Sequence, residues 1–301
     1  MPSQFFRFDA LGAHLRRSAL LERLLARADD CVSVSDWRAA AYRVIAPQEA
    51  AMPAVAAAAL CADRGAVEAS WVCAATPVHY VAEMTSVRLP VDGMLSLDPG
   101  AAQILAADFN RVWRDSGIHL TSSRSGGMFC LFERSFDVAT RDPQEVRGRH
   151  IEEYLPTGAD SPSLRQLISE TEMWLFEHRL NQTRSELGVP IINGLWFWGG
   201  GAPLKSLPAV QGWVQGYDLF FNSFSASPGD QYESGLVVAG SPDGDQWRAT
   251  ESRWLAAAAE KVRNGRISRL EISAEDRIFT VTARGLRRFW RRAAPWWEVF
   301  G

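Results

Sequence analysis

The chain lacks any apolar run of membrane length. Its longest, residues 54–62, falls far short of the roughly 20 residues that a spanning helix needs. Residues 1–20 hold Asp9 and several arginines and no compact apolar segment, so they do not read as an export signal, and the expected compartment is the cytoplasm. Paired cysteines are missing too. Cys31, Cys61, Cys73 and Cys130 form no CxxC and no short spacing, which leaves them as reduced thiols acting as small apolar residues. The five histidines, at 14, 79, 119, 150 and 178, make no HxH, HExxH or Asp-x-x-x-His pair, so no metal and no cofactor is expected. The GxSxG elbow of the α/β-hydrolases is absent. Residues 199–206 imitate a phosphate loop only superficially, because Leu204 stands where glycine is required and Pro203 has no backbone N–H.

Neither sign of charge dominates. Against 35 Asp and Glu stand 32 Lys and Arg, a net charge of −3. That gives no global attraction to nucleic acid or an anionic membrane, so any such binding has to come from a local patch. What is present is ordinary globular material, 47% hydrophobic and 22% charged over 301 residues, enough to build a core as a single compact unit over 1–301. Tryptophan is the outlier at 12, and reads first as large apolar filling for that core.

Helices with short connections are expected over about the first 65 residues, where Leu15, Ala19, Leu20 and Leu24 fall at helical spacing. Strands follow over 67–75 and 78–81, broken at Pro77. Asp98-Pro99 is a helix start whose apolar face holds Ile104, Leu105, Phe109, Val112 and Trp113, with Gly117 beyond it. Two strands, 119–121 and 128–132, flank the Ser125-Gly126-Gly127 turn. Ser161-Pro162 opens a second helix, expected to run to about Glu186 with Leu164, Leu167, Ile168, Thr171 and Leu175 on one face. Gly188 ends it and an apolar strand, 189–198, follows. Residues 199–244 read as loop with a short strand at 235–239. The remainder reads as a helix (245–262), strands at 267–272 and 277–282, and a short basic, aromatic helix. The alternation implies an α/β protein with a mixed sheet flanked by helices.

The distinctive stretch is 169–203. On a continuous helix His178, Asn181 and Arg184 would be neighbours, and Gly199, Gly200 and Gly201 after an apolar strand could present N–H groups to an anion. With Asn193, these seven residues are the candidate anion-binding set. A second reading keeps them within the fold: His178 shares the buried face of its helix, Arg184 sits where a helix C-terminus favours a cation, and Asn193 ties the turn at Gly188 to the helix end.

The pattern His178-x-x-Asn181-x-x-Arg184, then Gly188, Asn193 and the glycine cluster, resembles the archaeal-type cofactor-independent phosphoglycerate mutases of the alkaline-phosphatase-like superfamily. Asp108-Phe109-Asn110, Arg141-Asp142-Pro143 with Gly148, and Leu155-Pro156 extend the likeness over about 70–205, a region like the mutase middle domain, with 206–301 as a C-terminal α/β portion. The chain departs from the family in two places: Arg179 replaces a proline, and Trp198 replaces an arginine before the final glycines. Asp9 only faintly matches the family's N-terminal metal aspartate, and no histidine follows His178. The Asn193–Gly201 and Arg288–Arg292 patterns are similar to a bacterial group of regulatory proteins of the RpfE type. The resemblance implies a degenerate mutase-like fold without its metal site, no catalytic residue, and a regulatory or binding role toward an anionic metabolite or a protein partner. The alternative it leaves open is an active mutase-like enzyme on phosphate esters.

At the C-terminus Arg287, Arg288, Arg291 and Arg292 surround Phe289 and Trp290. This is the composition of a partner-binding patch or a nucleic-acid module. The favoured reading is instead a helix that docks its aromatics into the body and points its arginines outward, with neither nucleic acid nor membrane as partner.

Overall fold

The computed structural model describes residues 2–8, 17–216, 218–224, 234–239 and 247–300. In chain order it runs β1 (Ser3–Phe8), α1 (Ala19–Ala26), β2 (Asp30–Ser33), α2 (Trp37–Ile45), α3 (Val55–Arg64), β3 (Trp71–Val78), β4 (Val81–Ala82), β5 (Val87–Leu89), α4 (Pro99–Val112), β6 (Ile118–Ser122) and β7 (Met128–Phe132). Then come α5 (Pro143–Val146), β8 (Arg149–His150), α6 (Ser161–Phe176), α7 (Arg179–Glu186), β9 (Gly194–Gly201), β10 (Trp213–Gly216) and β11 (Gly235–Ala239). The chain closes with α8 (Trp247–Thr250), a π-helical turn (Glu251–Leu255), α9 (Ala256–Arg263), β12 (Arg269–Ala274), β13 (Arg277–Thr282), α10 (Ala283–Leu286) and α11 (Trp296–Phe300). The mixed α/β class is as expected. No described helix is long and apolar enough to cross a membrane.

The chain divides into two compact units, Met1–Met52 with Pro208–Gly301, and Pro53–Leu207. In this division the first strand belongs with the C-terminal portion. β1 lies between β11 and β12, parallel to both, in a sheet ordered β10-β11-β1-β12-β13-β2. Phe5, Phe6 and Phe8 are all buried, so Ser3–Phe8 is a strand covered on both faces. The expectation of helices alone over the first 65 residues missed it, as it missed β2. A strand covered on both faces has no alternation to read, and Leu15 lies outside the described residues. Phe6 and Phe8 share a core with Leu21 and Leu24 of α1, Ala258 and Val262 of α9, and Trp296.

The second unit is built on an antiparallel sheet, β6-β7-β3-β9. Leu105 and Phe109 of α4 and Leu164 and Leu175 of α6 pack with Trp71, Cys73 and Ala75 of β3 in one core, while the alanine-rich α3 lies against β3 and β9. Asp98 caps α4 as its spacing predicts, accepting from the N–H groups of Gly100 and Ala101 at 3.0 Å each. Of the apolar face expected on α4, Ile104 and Val112 are exposed. Pro77 does not break β3. It stands beyond the last β7 pairing, at Ala74, where no ladder bond is required of its missing N–H.

The triple glycine is strand rather than loop. Gly199 adopts φ +64 with Val55 of α3 against it, a Cβ on Gly200 would overlap the Trp71 ring, and one on Gly201 would meet Ala54. Gly200→Ala should therefore lower stability by about 1–3 kcal/mol through overpacking, read as a lower urea midpoint; an unchanged midpoint would show that Trp71 can move aside.

Candidate functional site

The expected helix over 161–186 is two helices. α6 ends at Phe176, and His178 turns the chain with φ −70 and ψ 133 before α7 begins. The periodicity of 161–175 continues through this break, which is why spacing alone does not reveal it. His178 is the N-cap of α7. Its Nδ1 accepts from the Leu180 N–H at 3.2 Å, the place usually taken by Ser, Asp or Asn. An accepting Nδ1 puts the proton of the neutral ring on Nε2, which lies 3.4 Å from Asp108 Oδ2. The ring also meets the edge of Trp174, with centroids 4.7 Å apart.

Asp108 joins three side chains, two of them guanidinium groups. Arg179 Nε lies 3.1 Å from its Oδ2 and Arg111 Nη1 3.0 Å from its Oδ1, with His178 as the third. Burial alone would raise this carboxyl, but Arg179, Arg111 and His178 together bring it below its ordinary value. Burial also moves His178 below its usual value, and outweighs the opposing pull of Asp108.

Residues 189–193 extend between α7 and β9 outside any strand, yet side chains take up their peptide groups one after another. Arg184 Nε donates to the Pro190 carbonyl at 2.7 Å, and His79 Nδ1 lies 2.9 Å from the Ile191 carbonyl. The Asn181 carboxamide takes both groups of Ile192: Oδ1 accepts its N–H at 2.7 Å and Nδ2 donates to its carbonyl at 2.7 Å. Nδ2 also reaches the Leu175 carbonyl at 2.8 Å, near the end of α6. Asn193 repeats the device on Tyr80, accepting its N–H at 2.6 Å and donating to its carbonyl at 2.8 Å.

Asn181 and Arg184 are thus bonded to the backbone of 190–192, His178 caps α7, and Asn193, itself in that run, is bonded to Tyr80; the two terminal amino groups of Arg184 have no partner among the described residues. Gly199, Gly200 and Gly201 lie in β9, and the Gly199 N–H donates to Thr140 Oγ1 at 3.1 Å. Trp198 is buried and gives its indole N–H to Thr76 Oγ1 at 2.8 Å. The parts played by His79 and the Tyr80 backbone were not legible in sequence, since both lie far along the chain from the segment they hold. Among the described residues no three His, Cys, Asp or Glu side chains gather as a metal would need, and Asp9 lies outside those residues.

The C-terminal arginines also differ from expectation. Residues 287–295 are not helical, Trp296 is the aromatic that docks, and Phe289 and Trp290 stand 80% and 66% exposed. Arg288 and Arg291 turn inward, each donating to the Ala28 carbonyl at 3.0 Å, just past the end of α1. The unpaired carbonyls at a helix C-terminus draw guanidinium groups in this way.

Comparison with known proteins finds no matching family model. Curated relatives match locally. The 2,3-bisphosphoglycerate-independent phosphoglycerate mutase of Methanothrix thermoacetophila is 32% identical over 72 residues, 24% of this chain and 18% of the relative. That of Methanosarcina barkeri is 36% identical over 66 residues, 22% of this chain and 17% of the relative. Over these stretches the chain is similar to cofactor-independent phosphoglycerate mutases. The matches span less than a fifth of the relatives' own length. A solved cofactor-independent phosphoglycerate mutase from Thermoplasma acidophilum superposes with TM-score 0.41 at 12% identity, covering 100% of this chain and 95% of that one.

Two predictions follow from the geometry. Asn181→Ala and Asn193→Ala should each cost about 2–3 kcal/mol, because each strands a peptide N–H and carbonyl, whereas Arg184→Ala should cost about 1 kcal/mol or less; losses below that for both asparagines in urea unfolding would free the carboxamides for another task. The second concerns pH. The lowered folded values of His178 and Asp108 mean that the unfolded chain binds more protons, so their contribution is complete above the unfolded values and is lost as pH falls. For His178 the loss starts as pH drops through 6.5, and for Asp108 through 3.8. His178→Asn, which keeps a capping side chain, should flatten the fall of the urea midpoint between about pH 7 and about pH 5; an equally steep fall in the variant would assign the dependence elsewhere.

Proposed function

We propose that this chain is a phosphoglycerate-mutase-like regulatory or binding protein, of the RpfE type, rather than an active mutase. The observation that carries the proposal is the use of both Asn181 and Asn193, residues through which the chain most resembles the mutases by motif, to hold backbone groups. Side chains spent on holding a backbone segment are not available to turn over a substrate. Trp198 supports the same reading, since a buried indole stands where the resemblance calls for an arginine.

The anionic ligand of this reading falls to the guanidinium groups rather than to the carboxamides or the glycine N–H groups. Arg184 spends only Nε on Pro190, and its two terminal amino groups have no partner among the described residues. Those two groups are the fork that a carboxylate or phosphate takes.

The test is thermal unfolding of purified protein with 3-phosphoglycerate and, separately, with Mn²⁺, Mg²⁺ or Zn²⁺, beside an assay for exchange of 2- and 3-phosphoglycerate. A ligand at a hundred times its dissociation constant adds about 2.7 kcal/mol, a readily visible shift. The proposal expects no exchange activity, and a shift with phosphoglycerate that Arg184→Ala abolishes. Metal-dependent exchange of the two phosphoglycerates overturns it in favour of an active enzyme.

A further inference from the structure

Six arginines and no acid occur between Arg277 and Trp297, in a chain whose net charge is −3. The turn after α10 concentrates them around Phe289 and Trp290, which are 80% and 66% exposed. The turn is not a loose tail. The N–H groups of Arg287, Arg288 and Arg291 donate to the carbonyls of Arg284, Gly285 and Arg288. From the side, Arg288 pairs with Asp29 at 3.0 Å, Arg27 donates to the Leu286 carbonyl at 3.3 Å, and Arg291 holds the Ala26 and Ala28 carbonyls at 3.4 and 3.0 Å. Two large rings are therefore held out in water by a fixed backbone. Around them Arg284, Arg287 and Arg292 are exposed, and no carboxylate pairs with them among the described residues.

We propose that this turn docks on an anionic lipid surface, with Phe289 and Trp290 entering the headgroup layer and Arg284, Arg287 and Arg292 meeting lipid phosphates. Protruding aromatic rings ringed by arginine suit a flat, negatively charged boundary that is wet on one side and apolar on the other. A single nucleic-acid strand suits the turn less well. Strand-binding surfaces string stacking rings along a cationic groove, whereas these two rings meet edge to face, at 82° with centroids 5.4 Å apart, and so offer no pair of parallel faces to successive bases. Two of the five arginines in 284–292 are also turned inward to hold the turn.

The experiment is co-sedimentation of the full chain with phosphatidylcholine vesicles, with and without about a third of phosphatidylserine, beside titration of a fluorescent single-stranded oligonucleotide. Three proteins are compared: the parent, Phe289→Ala/Trp290→Ala, and Arg287→Ala/Arg292→Ala. These side chains are exposed, so urea midpoints should match and folding should not confound the comparison. The parent should bind only the anionic vesicles, more weakly in high salt. Each arginine removed should lower partitioning about fivefold, and loss of both rings should abolish it. Absence of the parent from the anionic pellet, undiminished pelleting of the ring variant, or oligonucleotide binding that needs the same rings would each overturn the proposal.

Discussion

The extended run 189–193 is tied in place by two side-chain amides that imitate a neighbouring strand, Asn181 acting on the run and Asn193 acting from it on Tyr80. A strand partner satisfies a peptide group by accepting its N–H and donating to its carbonyl, and a carboxamide carries both functions in one plane. Asn181 does this for Ile192, which is fully buried, and Asn193 does it for Tyr80. Without them, buried backbone groups would be left unpaired where no water replaces them. The rest of the second unit follows from that fixed entry. The run delivers the chain into β9, whose glycines let α3 and Trp71 close on it. The same Asn181 amide reaches back to Leu175 and so fixes the end of α6 relative to β9.

This arrangement gives the likeness to the mutases a physical meaning. A helix bearing histidine, asparagine and arginine, followed by a glycine turn and a second asparagine, has the look of a ligand site in sequence. In the structure the same residues also turn the chain from helix to strand. His178 caps α7, Arg184 and His79 hold the carbonyls of Pro190 and Ile191, and Asp108 of α4 gathers His178, Arg179 and Arg111.

Much of the fold was legible because local signals and tertiary structure agree. Asp98-Pro99 and Ser161-Pro162 begin helices, and 128–132, 235–239 and 277–282 are strands as expected. What was not legible had its cause in distant contacts. Ser3–Phe8 is a strand because β11 and β12 flank it, and Gly199–Gly201 extend β9 because β3 pairs as far as Gly201, where Val55, Ala54 and Trp71 leave room only for glycine. Of the candidate site, Asn193 was singled out as an amide that must find partners, but composition could not say that its partner is Tyr80, or that Asn181 holds Ile192 and Leu175. Phe289 and Trp290 were expected to dock and do not, because the arginines beside them are drawn to the carbonyls at the end of α1.

Amide hydrogen exchange at Ile192 and Tyr80 in the unliganded protein tests most directly whether the two asparagines serve the fold. Their N–H groups donate to Asn181 and Asn193, so both should exchange only through opening of the whole unit, as slowly as the core amides of β3. Exchange at the rate of an open loop, slowed only when an anionic ligand is added, would contradict the account and return the two asparagines to a binding site.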